Sequence, residues 1–365
     1  MSQQGAAERV TITERVDHFN LGQIARSGQT FRWIRQGPQT YTVPAAGDYC
    51  TAFMPERDQL KIRCRADMVN FWRRYFGLCD PYPEYWATID AWAKKDGPEA
   101  YLTKAAAYAN GMVILRQPAW EAAASFVISQ NNNIPRIKAI IEALCRRFGH
   151  MITLPSGGWV YTFPEPEKLT DVAHLGGLGL GYRDKYLAAL ASAVAGGSVD
   201  LEKLAATDYE AAKEALKAIP GIGEKVANCI LLYGLGRLEA FPVDVWIRRI
   251  LEREFLGGFP TGRYAGFAGL VQQIMFCYER ESGRPTACHR NRVPLLPPEL
   301  SEVRGMYVHQ AGRPAGENRP PEMRVRRGCG DKGNTNRRQR YRGNRFRGYG
   351  AGINARAAQT AGKEF

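Results

Sequence analysis

Two side chains in this sequence stand out as equipped for covalent chemistry, Lys225 and Asp244, nineteen residues apart. Lys225 follows Ile219-Pro220-Gly221-Ile222-Gly223-Glu224, a turn whose glycines leave backbone N–H groups uncovered. A helix begins immediately behind it, so Gly221 and Gly223 border a positive, donor-lined concavity of a size for one phosphate oxygen. The helix dipole disfavours the ammonium form in that first turn, and the Lys225 pKa is expected to fall. A lysine with a lowered pKa is a nucleophile able to form a Schiff base. Asp244, in Pro242-Val243-Asp244-Val245, places a carboxylate just ahead of a second apolar helix. Cradle, nucleophile and carboxylate together point to chemistry on the sugar of a nucleic acid. Plainer roles stay open at this point: Lys225 as a solvated surface residue, and Asp244 as the N-cap of the helix carrying Ile247, Ile250 and Leu251.

The elements that must hold these residues can be read from periodicity. The Lys225 helix should run from about Glu224 to Tyr233, with Gly234 and Gly236 ending it. Residues 10–66 read mainly as strands: Leu60 to Arg65 alternates apolar with polar, Thr40–Val43 and Tyr49–Met54 are β-rich, and Gly37-Pro38 and Gly47-Asp48 supply turns. From Val69 the pattern turns helical, through Phe71, Trp72, Tyr75 and Phe76, then again from Tyr85 to Trp92. A helix opened by Arg116-Gln117-Pro118 ends in Gln130-Asn131-Asn132-Asn133, and the asparagines cap an amphipathic helix with Ile137, Ile140, Ile141, Leu144 and Phe148 on one face. Gly176-Gly177-Leu178-Gly179-Leu180-Gly181-Tyr182-Arg183 is a second glycine-dense turn feeding a helix. Ala268 to Phe276 forms one more, in which Gln272 and Phe276, four apart, face the same way.

Composition narrows the class. The hydrophobic content of 45% is ordinary for a globular protein, and 365 residues suffice for two or three modest cores. No stretch is long and apolar enough to span a membrane, and MSQQGAAERV lacks an apolar signal core. These features suggest a soluble intracellular protein, cytoplasmic at the nucleoid in a prokaryote or nuclear in a eukaryote. The eight cysteines, 50, 64, 79, 145, 229, 277, 288 and 329, are scattered, which reads as reduced thiols. The net charge is +14, but residues 281–365 hold 18 Lys+Arg against 7 Asp+Glu and so supply +11 of it. Any DNA affinity of the body must therefore come from a local patch and backbone donors, not from bulk charge.

At PGIGEKVANCI followed by FPVDVW the chain resembles the helix–hairpin–helix DNA glycosylases of base excision repair. With a lysine, and Cys229 four residues later, it is most similar to the 8-oxoguanine DNA glycosylase/AP lyases. The resemblance spans about residues 10–280 and includes SGQTFRW at 27–33. By that resemblance Gly28 offers its carbonyl to N7–H of the oxidised base. Guanine has a bare acceptor at N7, so the same carbonyl would repel it. Likewise Gln272 reads the base edge, while Phe276 and Cys229 sandwich it. Asn131 fills the gap left by the flipped nucleotide, Arg136 and Arg183 contact the orphaned cytosine, and Tyr182 wedges into the stack. Taken without the flanking match, Gly28 would be a turn glycine and Cys229 a small buried hydrophobe. Trp246 departs from the pattern, since some relatives carry a histidine there.

The expected fold is α+β: an N-terminal antiparallel sheet domain (1–115) packed on a mostly helical helix–hairpin–helix catalytic domain (116–284), followed by a basic low-complexity tail (285–365) expected to be disordered. In the tail, arginine interleaved with Tyr341, Phe346 and Tyr349 suits loose nucleic-acid binding, and a tail with no selected role stays equally open. The expected activity is excision of 8-oxoguanine opposite cytosine, with Lys225 attacking C1′ and β-elimination following. The partner is double-stranded DNA containing oxidised guanine, with no metal, no cofactor and no membrane, and the chain acts as a monomer. Two rivals remain. An iron–sulphur glycosylase for other lesions needs four clustered cysteines, whereas Cys277, Cys288 and Cys329 are three and widely spaced. A non-catalytic DNA-binding module would use the hairpin alone.

Overall fold

The computed structural model describes residues 8–92 and 98–282. Five antiparallel strands come first: β1 (Arg9–Arg15), β2 (Ile34–Gly37), β3 (Thr40–Ala45), β4 (Asp48–Glu56) and β5 (Gln59–Arg65). Their order in the sheet is β1-β5-β4-β3-β2, so the first strand closes the far edge beside the last. The alternation along β5 sends Leu60, Ile62 and Cys64 into the core, with Ile62 opposite Ile12 of β1. Ala46 and Gly47 join β3 to β4, both at positive φ (50° and 73°), as a two-residue hairpin turn matched to strand twist requires.

The SGQTFRW stretch differs from the strand reading of residues 10–66. It is an irregular link between the helix Leu21–Arg26 and β2. The reason is local: Gly28 sits at φ +81°, outside any strand conformation. The buried Gln29 amide then does the pairing. Its Nε2 donates to the Val113 carbonyl at 2.9 Å, and its Oε1 accepts from the Leu115 N–H at 2.7 Å. Three residues on, Arg32 forms a buried ion pair with Glu121 at 3.0 Å and donates to the Tyr161 carbonyl. The Arg32–Glu121 pair pins this link to the helix Ala119–Ser129, while Gln29 pins it to the chain just ahead of that helix.

Helices make up most of the other described residues. The helix Ala268–Ser282 packs on both Pro98–Tyr108 and Val245–Glu254. Gly269 lets it approach closely, since a Cβ there would stand 2.4 Å from Leu232 and 2.6 Å from the Ala240 carbonyl. One continuous apolar cluster runs from Val16 to Cys277. Among the described residues no helix is long and apolar enough to cross a membrane. The tail 285–365, with Tyr341, Phe346, Tyr349, Cys288 and Cys329, lies outside the described residues.

Candidate active site and nucleic-acid interface

The hairpin is two helices, Tyr209–Lys217 and Glu224–Tyr233, joined by the Pro220–Gly223 turn. The second has the bounds that periodicity suggests. The first is not part of the sequence reading above, although Asp208 ahead of Ala212 and Leu216 is a usable signal: its carboxylate accepts from Glu210 N at 3.0 Å and Ala211 N at 3.1 Å. Glu224 clasps the two helices, pairing with Lys217 at 3.2 Å and with Lys213 at 3.5 Å. Partial burial pushes the Glu224 carboxyl up, but Lys217, Lys213 and the Asn228 amide outweigh it and hold it below its ordinary value.

The two turn glycines differ. Gly221 is at φ +87° with the Tyr186 ring pressed on it, so that a Cβ would fall 2.1 Å from the ring. Gly223, at φ −92°, has nothing within 4 Å of where its Cβ would be and caps the helix with no side chain. The first turn therefore presents uncapped N–H donors to open space.

Lys225 is half-buried, its ammonium 5.8 Å from the centre of the Phe126 ring. One turn along, Cys229 is buried. Burial pushes that thiol up, against the pull of the Lys225 charge. Asp244 caps Val245–Glu254, its Oδ1 accepting from Ile247 N at 2.9 Å. It lies near enough to raise the thiol of Cys229 and the phenol of Tyr233. Among the described residues neither Lys225 nor Asp244 has an ion-pair partner, so neither side chain is committed to a counter-ion. Trp246 and Val245 are exposed at the start of this helix, and Arg249 lies 5.6 Å over the Trp246 ring.

The helix Ala268–Ser282 brings the other residues together. Where a Gly28 side chain would begin, Phe276 and Ile134 lie at 3.5 Å. Gln272 is 4% exposed, and its Oε1 is buried with no hydrogen-bond partner among the described residues. Its neighbour Gln273, absent from the sequence reading, donates to the Ser27 carbonyl at 2.7 Å and accepts from the Tyr233 hydroxyl. It thus locks the Gly28 turn to the Lys225 helix. Unlike Gln272 it has its amide fully employed.

Asn131 is exposed and at φ +45°, strained for a residue with a side chain. Asn133 caps the following helix through Arg136 N at 3.0 Å. Arg136 is exposed and donates to the Gly179 carbonyl at 3.1 Å. Tyr182, 50% exposed, projects from the second glycine turn. Arg183 is placed differently from the expectation of a free contact residue. It is 4% exposed, and its guanidinium donates to three carbonyls, Gln130 at 2.7 Å, Asn131 at 2.8 Å and Leu180 at 2.9 Å. It holds the two turns to each other, and its cationic face supports the Tyr182 ring at 4.6 Å.

A glycine hairpin bearing a lysine, an aspartate at the head of the next helix and a buried glutamine oxygen without a partner suit the DNA glycosylases that the sequence resembles. Comparison with known proteins agrees. The 8-oxoguanine DNA glycosylase N-terminal domain matches residues 11–123, and the HhH-GPD superfamily of base excision DNA repair proteins matches 124–259. The chain belongs to that superfamily and, within it, to the 8-oxoguanine glycosylase/lyases. The N-glycosylase/DNA lyase of Saccharomyces cerevisiae is 28% identical over 266 residues, 64% of this chain and 68% of its own. The solved structure of MBOgg1 with a low affinity DNA ligand is 35% identical at a TM-score of 0.69, covering 75% of this chain and 96% of that one. An 8-oxoguanine glycosylase/lyase of Clostridium acetobutylicum, solved with double-stranded DNA containing cytosine opposite 8-oxoguanine, is 27% identical at 0.69, covering 77% and 99%.

Proposed function

We propose that this enzyme binds duplex DNA, flips 8-oxoguanine out of the stack opposite cytosine, and removes it through a Schiff base on Lys225. The observation that carries the reading is the pocket edge. Gln272 Oε1 is a buried acceptor without a donor, as the N1–H and N2–H₂ of a guanine-type base would supply. Gly28 beside Phe276 adds a backbone carbonyl suited to N7–H, a donor that 8-oxoguanine has and guanine lacks.

The chemistry follows from the same geometry. The Lys225 lone pair attacks C1′, the bond from C1′ to N9 breaks, and the base leaves with its electron pair and takes up the proton that the attacking amine loses. The Asp244 carboxylate stabilises positive charge as it grows on the sugar. Ring opening gives the imine; loss of a C2′ proton then expels the 3′ phosphate and nicks the strand. The Gly221 and Gly223 N–H groups hold a neighbouring phosphate. Asn131 and Tyr182 fill and wedge the stack, Arg136 contacts the orphaned cytosine, and Arg183 fixes the turns that carry them.

The test is excision of 8-oxoguanine opposite C, A, G and T, with borohydride added to trap the imine. Wild type should favour cytosine about tenfold or more and form a covalent adduct, and Arg136→Met should lose much of the preference. Equal rates opposite cytosine and adenine would remove the cytosine contact. No adduct on lesion DNA would favour a hairpin that only binds.

A further inference from the structure

One cation beside Gly28 and Phe276 has no role in that scheme. Arg280 stands on the same face of the helix Ala268–Ser282 as Gln272 and Phe276, at successive four-residue steps. Its guanidinium carbon lies 5.2 Å from the centre of the Phe276 ring. Nη2 is committed, donating to the Arg26 carbonyl and reaching Glu281 Oε1 at 3.4 Å. Nη1 is buried without a hydrogen-bond partner among the described residues. It stands 3.1 Å from where a Gly28 side chain would begin, so it shares the corner occupied by Gly28, Ile134 and Phe276. Lys138, one turn past Ile134 on the facing helix, is pushed below its ordinary pKa by burial and by the Arg280 charge. A buried donor that also crowds a second cation is costly unless a ligand acceptor meets it.

We propose that Arg280 is a specificity-determining residue whose Nη1 donates a hydrogen bond to the C8 keto oxygen of the flipped base; this rests on the 8-oxoguanine reading above. The order of groups argues for that atom. At 1.5 Å per residue, Gln272 and Arg280 lie about 12 Å apart along the helix, with Phe276 midway. A base stacked on Phe276 therefore has Gln272 at one end and Arg280 at the other. Around the base edge the order is N1–H, O6, N7–H, O8. Gln272 takes the N1 end and Gly28 takes N7, so the acceptor next to Gly28 and away from Gln272 is O8. Guanine carries only a C–H there. Gly28 and Arg280 together then form an acceptor–donor pair matched to N7–H and O8, the two groups that oxidation creates.

The experiment compares two activities of one protein: excision of 8-oxoguanine opposite cytosine, and nicking of a duplex with a preformed abasic site, which needs Lys225 but leaves the base pocket empty. Arg280→Met should lower kcat/KM for excision about tenfold, as loss of one charge-assisted hydrogen bond implies, and leave abasic-site nicking within about twofold of wild type. Arg280→Lys, which keeps a cation but cannot serve the Arg26 carbonyl and the base together, should fall between. Unchanged excision by Arg280→Met would overturn the proposal, as would an equal fall in both activities, the mark of a purely structural role. Should Arg280→Met fail to accumulate as folded protein, Arg280→Lys is judged on the same ratio, and a wild-type ratio overturns the idea. A wild-type enzyme that nicks abasic DNA yet spares 8-oxoguanine would sink the base assignment itself, and this inference with it.

Discussion

The two glycine turns look alike in composition and are built for opposite ends. In the Pro220–Gly223 turn, the side that matters is bare backbone. Gly221 is forced by the Tyr186 ring lying on it, and Gly223 is left facing empty space ahead of an uncapped helix. In the Gly176–Arg183 turn, backbone carbonyls are consumed internally, by Arg183 from one side and by Arg136 and Arg147 from the other. What it displays is a side chain, Tyr182. A glycine thus serves here in two ways, by exposing N–H donors to an anion and by permitting a sharp rigid bend that aims an aromatic. Only the contacts distinguish them.

The sharpest way to break the comparison is to separate grip from chemistry within the first turn. Lys225→Gln should abolish excision and borohydride trapping, a loss on the order of a thousandfold or more, while binding to a lesion duplex persists. Near wild-type nicking would show that the nucleophile lies elsewhere.

Next comes Arg183→Met, which strips three carbonyls of a buried charged donor at once. A destabilisation of about 3–5 kcal/mol is expected in urea melts, with both the Asn131 and Tyr182 turns gaining amide exchange. A change below about 1 kcal/mol would mean that the arginine is not what joins them.

The paired substitutions Gly221→Ala and Gly223→Ala sharpen the contrast. The first meets a ring and a left-handed φ, and should cost about 2–4 kcal/mol of stability. The second meets nothing in the protein, so stability should move by about 1 kcal/mol or less. Its methyl stands where a phosphate oxygen would approach, and duplex affinity should fall instead. If the two alanines behaved alike in both assays, the distinction between a packed and an exposed glycine would fail.

The smallest expected effect is on pH. The Glu224 carboxyl is held low by Lys217, Lys213 and Asn228, so its contribution is fully present above the unfolded carboxylate pKa and is lost as pH falls through the lower folded value. Its side chain is 58% exposed, which screens the pairs and keeps the effect slight. Acid unfolding of Glu224→Gln should therefore lie close to that of wild type, and a large difference would mark the clasp as stronger than its exposure implies.

Much of the site was legible before folding because its signals are local. Helix Glu224–Tyr233 has its glycine start, apolar face and glycine stop within about a dozen residues, and Asp244 caps the helix that its own sequence begins. The first hairpin helix, Tyr209–Lys217, carried a local signal too, in Asp208 and the spacing of Ala212 and Leu216. The strand reading across SGQTFRW gave way to Gly28 at φ +81° and to the Gln29 side chain, which pairs with a segment 84–86 residues away in place of a neighbouring strand.

What the sequence alone determined, then, are the pieces whose causes lie within a turn or two of chain: the Lys225 helix, the Asp244 and Asn133 caps, and the alternation that buries one face of β5. The tertiary structure decided which polar groups are spent and which are left over. Gln273 is satisfied by a carbonyl 246 residues away while adjacent Gln272 keeps a buried oxygen unpaired. Arg183 is consumed by carbonyls 52 and 53 residues distant, whereas Arg280 retains an idle Nη1 beside Gly28. The physical reason is that hydrogen bonds and charges have no periodicity along the chain. Whether a buried donor is satisfied depends on what the fold brings within about 3 Å of it.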